Sequence, residues 1–358
     1  MNIQQLKETF QQKFQDLGKK FLKNHQSKIF LSQHTKLVDK SLIQLWNGRD
    51  LIDGLCLVAV GGFGRSELFP YSDVDILVLS KNELTKNQSE RISGFIADCW
   101  DLGLKIGHSV RNMSEVGEEF HKDVTTATNL LENRLIIGDH KVFKKLLLLI
   151  DKEMSANNFY IEKIKEQTKR HKKYKDSAYQ LEPNIKESPG GLRDLQTVIW
   201  ISSSQKKGRT LEDLLKYKVI NKHEFNKITL HKNRINKRRI LLHLLSKSTE
   251  DRLSFDLQNQ LAEVLGYQSK DNKKASEIVM KYYYKSINYI ILFNEILLKR
   301  LDPKTYSSNQ IDHPMNFIKY NNLLEIKSTT NKQMARHLFA PFLIMQQDKD
   351  IVGFGPNL

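Results

Sequence analysis

Residues 55–60 (LCLVAV) form a short, wholly apolar run that stops at Gly61-Gly62. Ten residues separate Gly62 from Asp73, where DVDILVLS opens a second run that soon becomes apolar. An apolar run of this length, ended by a glycine pair, is the pattern of a buried strand stopping at a tight turn. DVDILVLS predicts a second central strand beside it. Because successive side chains on a strand take opposite faces, Asp73 and Asp75 share one side while Val74 and Ile76 enter the core. This pairing constrains the fold most: two buried strands carry two acids, and other elements must cover both faces.

The flanking patterns are helical. Residues 1–50 predict two or three helices, with Leu37, Val38, Leu42, Ile43 and Leu45 as an apolar stripe. Asn87–Leu102 is periodic through Ile92, Phe95, Ile96 and Trp100, and Gly103–Val110 predicts a third strand. From about residue 113 to about 300 the pattern is almost entirely helical, interrupted mainly at Leu181–Asp194 and Gln268–Lys274. Two strand-like pieces, NLLEIK and DIVGFG, flank a helix expected near 331–346. Trp100 and Trp200 are expected in the core. The layout is α+β, with a small mixed sheet and then a mainly helical domain. The boundaries expected are 1–50 for N-terminal helices packing on the catalytic domain, 51–150 for the sheet domain, 151–305 for the helical domain and 306–358 for a C-terminal segment.

Composition narrows the class. No apolar run approaches the roughly 20 residues of a membrane span, and the N-terminus lacks the basic and apolar regions of a secretion signal. Cys56 and Cys99 cannot make a disulfide framework, and no Cys/His cluster has zinc spacing. A reducing cytoplasm is the expected compartment. The net charge is +16, but Lys outnumbers Arg about three to one amid abundant Asn and Ile. That mixture fits an AT-rich genome as well as an anionic partner. The densest positive runs, Lys163–Lys175 and Lys227–Arg239, fit solvated helix faces or the lining of a phosphate-handling cleft. With no aromatic-interleaved signature, nucleic acid is not the expected partner.

Two carboxylates about 7 Å apart on one strand face repel unless a cation lies between them, and hard divalent ions prefer oxygen ligands. An Asp-x-Asp alone reads more readily as two solvated acids at a strand start than as a metal site. Gly61-Gly62 adds backbone N–H groups that a phosphate can approach closely. Arg65 adds a forked donor matched to phosphate, and Ser66 a hydroxyl. Together they supply a triphosphate cradle and the Mg²⁺ it needs. Further along, Gly190-Gly191-Leu192-Arg193-Asp194 begins a helix after Pro189. Arg193 there either reaches an anion across a cleft or belongs to a helix start in which Asp194 caps or pairs with it. Lys186 and Glu187 are weaker candidates.

Gly61-Gly62 followed by Asp73-Val74-Asp75-Ile76 resembles the defining motif of the DNA polymerase β-like nucleotidyltransferase superfamily. More narrowly, GGFGRSELFPYSDVDILVL resembles the bacterial PII-protein uridylyltransferase/uridylyl-removing enzymes. WDLGLKIGHSVR (100–111) looks like that family's next strand, and DVTTATNLLENRLIIGD (123–139) like its following helix. ESPGGLRDLQTVIW (187–200) is similar to a glycine-rich signature of its helical domain, echoed in glutamine-synthetase adenylyltransferases. The resemblance covers about residues 35–345. It implies transfer of UMP from UTP to a tyrosine of the PII signalling protein, with release of pyrophosphate. Asp73 and Asp75 would hold Mg²⁺, and Gly61, Gly62, Arg65 and Ser66 would hold the phosphates. Many superfamily members carry a third carboxylate on a later strand, where this chain has Gly107-His108. His108 is either a proton acceptor or phosphate donor there, or makes a structural hydrogen bond; Asp123 and Glu132 are possible substitutes.

The family's longer members continue into a metal phosphohydrolase domain that removes UMP and into glutamine-sensing ACT domains. None of the eleven histidines here is followed by Asp, so the His-Asp doublet of that hydrolase is absent; Asp139-His140 and Asp312-His313 have the reverse order. The expectation is a shortened, one-way uridylyltransferase. The alternatives are a nucleotidyltransferase with another acceptor (another protein, a small molecule or an RNA end) and an inactive PII- or nucleotide-binding remnant.

Overall fold

The computed structural model describes residues 2–51, 54–174, 177, 179–303, 310–313, 317–320, 323–326, 339–351 and 353–355. The first elements are α1 (Ile3–Asn24), α2 (Ser27–Gly48), β1 (Leu55–Ala59), the single turn α3 (Gly61–Gly64) and β2 (Val74–Ser80). Next come α4 (Lys86–Asp101), β3 (Ile106–Asn112), α5 (Met113–Phe120), α6 (Val124–Leu131), β4 (Arg134–Gly138) and α7 (His140–Glu153). The four strands make one mixed sheet in the order β3-β2-β1-β4. β1 is antiparallel to β2 and β4, while β2 and β3 are parallel.

Strand alternation sorts this sheet into two faces. Leu55, Leu57 and Ala59 of β1, with Val74, Ile76 and Val78 of β2, meet Val38, Leu42, Leu45 and Trp46 of α2 and Phe95 of α4. The α2 residues recur at helical spacing, so one stripe of the helix is spent on the sheet. Cys56 and Val58 of β1, with Leu77 and Leu79 of β2, take the other face against Leu130, Leu146 and Ile150. Asp75 belongs to this second face by alternation. Phe159 and Trp200 from the following helices join the same cluster, so the helical region closes over the acid-bearing side.

That region comprises α8 (Ala156–Lys173), α9 (Leu192–Ser204), α10 (Leu211–Lys216), α11 (Lys222–Ser246), α12 (Phe255–Val264) and α13 (Ala275–Leu301). Its core includes Ile201, Ile235, Leu241, Leu261, Tyr283 and Leu297. Phe21 and Phe30 of the N-terminal helices belong to it as well, so α1 and α2 bridge both cores. A second four-stranded sheet follows: β5 (Gln310–His313), β6 (Phe317–Tyr320), β7 (Leu323–Ile326) and, after helix α14 (Ala340–Gln347), β8 (Gly353–Phe354). Phe317, Leu324, Ile344 and Ile351 form its small core. Of the helix expected near 331–346, residues 331–338 lie outside the described residues.

The α+β reading holds, with two local corrections. DVTTATNLLENRLIIGD is not one helix: α6 ends at Leu131, and RLIIG becomes β4. Five residues between two helices are too few to break a helical pattern, and it is pairing with β1 that makes them a strand. Trp100 is not core but 56% exposed, because Ile92, Phe95, Ile96 and Cys99 take the buried stripe of α4. Trp200 is buried as expected.

Candidate active site

The turn after β1 is set by Gly61, whose φ of 58° lies in the left-handed region that favours glycine. Its position brings the backbone beside the acids: a Cβ on Gly61 would lie 3.3 Å from Asp75 Oδ2. Gly62 shows no such positive φ, and a Cβ there would meet nothing closer than Arg65 Nη2 at 3.7 Å. Gly61, Gly62, Asp73 and Asp75 line one cleft of about 440 Å³ between the sheet and the helical region. Among the described residues, no donor is hydrogen-bonded to the Asp73 or Asp75 carboxylates. Burial raises the Asp75 pKa, Asp73 adds to the rise, and Lys186 and Arg65 oppose it.

The opposite wall is cationic. Lys163 of α8, Arg193 of α9, Arg239 of α11 and Lys186 of the loop before α9 all line the cleft, with Arg65 at its floor. Most of these charges are held. Arg65 donates to Glu132 and Glu67, and Lys232 donates to Glu67 at 2.6 Å. Burial alone would raise the Glu67 pKa, but Lys232 and Arg65 outweigh it and bring the group down to about 2. Lys163 donates to Glu166 at 2.6 Å and lies 4.2 Å from the Trp200 ring centroid. Arg193 donates to Glu187 and sits 5.2 Å from the same ring. Arg239 makes a two-point contact with Asp251, at 2.7 and 3.0 Å.

The loop joining the glycines to the acids is clamped from several sides. His34 Nδ1 donates to Leu68 O at 3.0 Å, and His243 Nδ1 donates to Pro70 O at 2.7 Å. Phe69 is part of the helical core, with Arg239 4.1 Å above its ring. Trp200 donates to Glu132, which also receives Arg65. The spacing between Gly62 and Asp73 is thereby held by contacts that also fix the cationic wall.

Not every expected residue joins the site. Ser66 adopts a φ of 61° and lines a neighbouring cavity of about 470 Å³, beyond Arg65 and Glu132. His108 lies opposite Ile76, so its ring takes the far face of the sheet and meets Trp100 at 6.1 Å between centroids. Gly107, opposite Asp75, takes the acid-bearing face, and a Cβ there would lie 2.4 Å from Asp75 Oδ1. A carboxylate at 107 would have no room. Asp123 caps α6 by accepting from Thr126 N, and Glu132 is engaged by Arg65 and Trp200. Neither joins the acid pair. Asp194 holds Arg170, His171 and the Gly190 N–H rather than Arg193. Lys163 and Arg239 were not singled out by motif; each sits at the end of one basic run, the only sequence signal they gave.

The acid pair suits a hard divalent ion, since two anionic oxygen donors line one cleft with no ion pair to either among the described residues. Among the described residues no group of three His, Cys, Asp or Glu side chains could hold a metal. Mg²⁺ commonly takes one or two carboxylates and completes its shell with water and substrate phosphates, so two donors fit it.

Comparison with known proteins gives the relationship. Residues 158–298 match the family described as GlnD PII-uridylyltransferase. A bifunctional uridylyltransferase/uridylyl-removing enzyme of Cupriavidus metallidurans is 37% identical over 347 residues, covering 96% of this chain and 40% of the relative. Its counterpart in Hydrogenovibrio crunogenus is 41% identical over 296 residues, covering 80% of this chain and 33% of the relative. The chain spans between a third and about two-fifths of the length of these curated relatives. Residues 158–298 are thus similar to the GlnD PII-uridylyltransferase family, and nearly the whole chain is similar to bifunctional uridylyltransferase/uridylyl-removing enzymes.

Proposed function

We propose that these residues carry out the forward half of the chemistry named in the relatives: Mg²⁺-dependent transfer of UMP from UTP to a tyrosine of a PII protein. The observation that carries the reading is the meeting, in one cleft beside a glycine turn, of a cationic wall and two carboxylates that accept no hydrogen bond among the described residues. The reverse reaction is not assigned to these 358 residues, which hold no His-Asp doublet.

Asp73 and Asp75 would hold the ion. When bound, it supplies positive charge to the triphosphate and acidifies the attacking hydroxyl. The chain's own contribution is positioning and charge. The N–H groups at the start of α3 have no acceptor within that turn, and Gly61 and Gly62 let phosphate oxygens approach them. Arg193, Lys186 and Arg239 offset the charge that gathers on departing pyrophosphate. The carboxylate partners of Arg193 and Arg239 hold those long side chains in place before substrate arrives, which limits the entropy lost on binding.

The test is incubation with labelled UTP, ATP, CTP or GTP, Mg²⁺ and a PII protein, beside an Asp73→Ala/Asp75→Ala control. Label on PII from UTP alone supports the proposal. Label on another acceptor, or from another nucleotide, moves the function to a different nucleotidyl transfer. Absence of label leaves a nucleotide- or PII-binding role. Transfer retained by the double variant would dissociate the reaction from the acid pair.

A further inference from the structure

Among the described residues, five cations line the cleft: Arg65, Lys163, Lys186, Arg193 and Arg239. Four of them are hydrogen-bonded to carboxylates: Arg65 to Glu132, Lys163 to Glu166, Arg193 to Glu187, and Arg239 to Asp251. Lys186 is the exception. Its nearest carboxylate oxygen is Glu187 Oε1 at 3.6 Å, beyond hydrogen-bond reach, and that oxygen already receives Arg193 at 3.1 Å. Among the described residues the Lys186 ammonium therefore has no hydrogen-bond acceptor, and it opposes the raised pKa of Asp75 more than Arg65 does.

The backbone beneath it is fixed. The Asn184 side chain accepts from the N–H groups of Lys186 and Glu187 at 3.0 and 2.7 Å. Lys186 O accepts from Arg193 N at 2.9 Å, tying the loop to the first turn of α9. Ile185 N donates to Asp251 O at 2.8 Å, tying it to the segment after α11. A flexible side chain thus stands on a rigid platform and lines the same cleft as the acid pair. Of the five cations only the lysines can readily give up a proton, because guanidinium does not deprotonate in proteins, and Lys163 is committed to Glu166 and Trp200. Burial, with Arg193 and Arg239 nearby, also pushes the Lys186 pKa down, which makes its ammonium a better acid.

We propose that Lys186 is a catalytic residue that protonates the departing pyrophosphate, an assignment resting on the nucleotidyl-transfer reading above. The acceptor oxygen forms its bond to the α-phosphorus as the bond from that phosphorus to the α,β-bridging oxygen breaks. The electron pair of the broken bond stays on the bridging oxygen, now a terminal oxygen of pyrophosphate, and takes a proton from Lys186 Nζ. The acceptor hydroxyl's own proton leaves to water, and the neutral amine regains a proton from water after pyrophosphate departs.

The test compares wild type, Lys186→Arg and Lys186→Ala with UTP, and with UTP analogues whose β,γ-bridging group alters leaving-group acidity. UTP affinity is measured separately by calorimetry without acceptor. Lys186 is 30% exposed in its side chain, so neither substitution threatens the core. The expected result is a loss of turnover of about 100-fold in both variants, the usual scale for general acid catalysis. A steeper dependence on leaving-group acidity than in wild type should accompany it, while UTP affinity changes less than about 3-fold. Three results would overturn the assignment: Lys186→Arg recovering most of the rate, an unchanged leaving-group dependence, or an affinity loss as large as the rate loss. Each would mean charge or binding rather than proton donation. A wild type that transfers from no nucleotide sinks the functional reading and Lys186 with it, whereas active wild type with active Lys186→Ala sinks Lys186 alone.

Discussion

The two walls of the cleft are prepared in opposite ways. On the sheet side, Asp73 and Asp75 stand close together with no donor hydrogen-bonded to their carboxylates among the described residues, so their mutual repulsion is left for a ligand to relieve. On the helical side, Lys163, Arg193 and Arg239 are each already paired, as is Arg65 at the floor. The difference teaches where binding energy is kept. An ion can lose its water only for strong, unshared donors, whereas long basic side chains bind phosphate better when their carboxylate partners have already ordered them.

The largest effect should come from the acidic wall. Asp73→Ala/Asp75→Ala should lower transfer by at least about 10³-fold in a labelled-nucleotide assay, the scale of losing charge stabilisation in a transition state. Thermal stability should stay level or rise, because like charges are removed; a large fall in Tm would show the acids to be structural. Next is the support of the cationic wall. Trp200 is 3% exposed and carries Lys163 and Arg193 against its ring. Trp200→Ala should cost about 3–5 kcal/mol in chemical denaturation, and a loss under 1 kcal/mol would mean the two walls are not packed through it.

The loop between the walls gives two smaller effects. Burial lowers the His34 pKa to about 4, against the donation to Leu68 O, so the folded protein holds it neutral. The unfolded chain then binds the extra proton first, and stability falls as pH drops from 6.5 towards 4. His34→Gln should remove up to about 1.4 kcal/mol per pH unit of that slope; equal slopes in the two proteins would place the pH dependence elsewhere. Glu67→Gln should cost roughly 1–3 kcal/mol, since it leaves Arg65 and Lys232 short of a charged partner. The native advantage of Glu67 is present above about pH 4.5 and is lost as pH falls towards its folded value of about 2. The smallest effect belongs to the far face of the sheet. His108→Ala should change transfer less than 2-fold and stability within about 0.5 kcal/mol; a larger loss of activity would return His108 to the reaction.

Much of the sheet was readable in the chain. The run LCLVAV, the glycine pair and DVDILVLS each have a period or punctuation that local physics explains, and they appear as β1, α3 and β2 in register. The acids and glycines of the site were legible for the same reason, since all lie within fifteen residues of one another, from the turn after β1 to the start of β2. β4 was not legible, because a five-residue strand between helices is recognised by its partner rather than by its own pattern. Trp100 and Trp200 both sit on helices with apolar stripes, yet only one is buried; a stripe's edge is drawn by the neighbouring surface.

Local sequence therefore determined the two strands, the turn at Gly61 and the face shared by Asp73 and Asp75, since backbone alternation and a positive φ act over a few residues. The tertiary structure decided the rest of the cleft. It set Gly107 rather than a carboxylate against Asp75, turned His108 to the far face and moved Ser66 beyond Arg65. It also brought Lys163, Lys186, Arg193 and Arg239 from four separate segments to one wall. The physical reason is that electrostatic and hydrogen-bond partners are chosen by distance in space, and the spacing of residues 163, 186, 193 and 239 along the chain carries no period that announces their meeting.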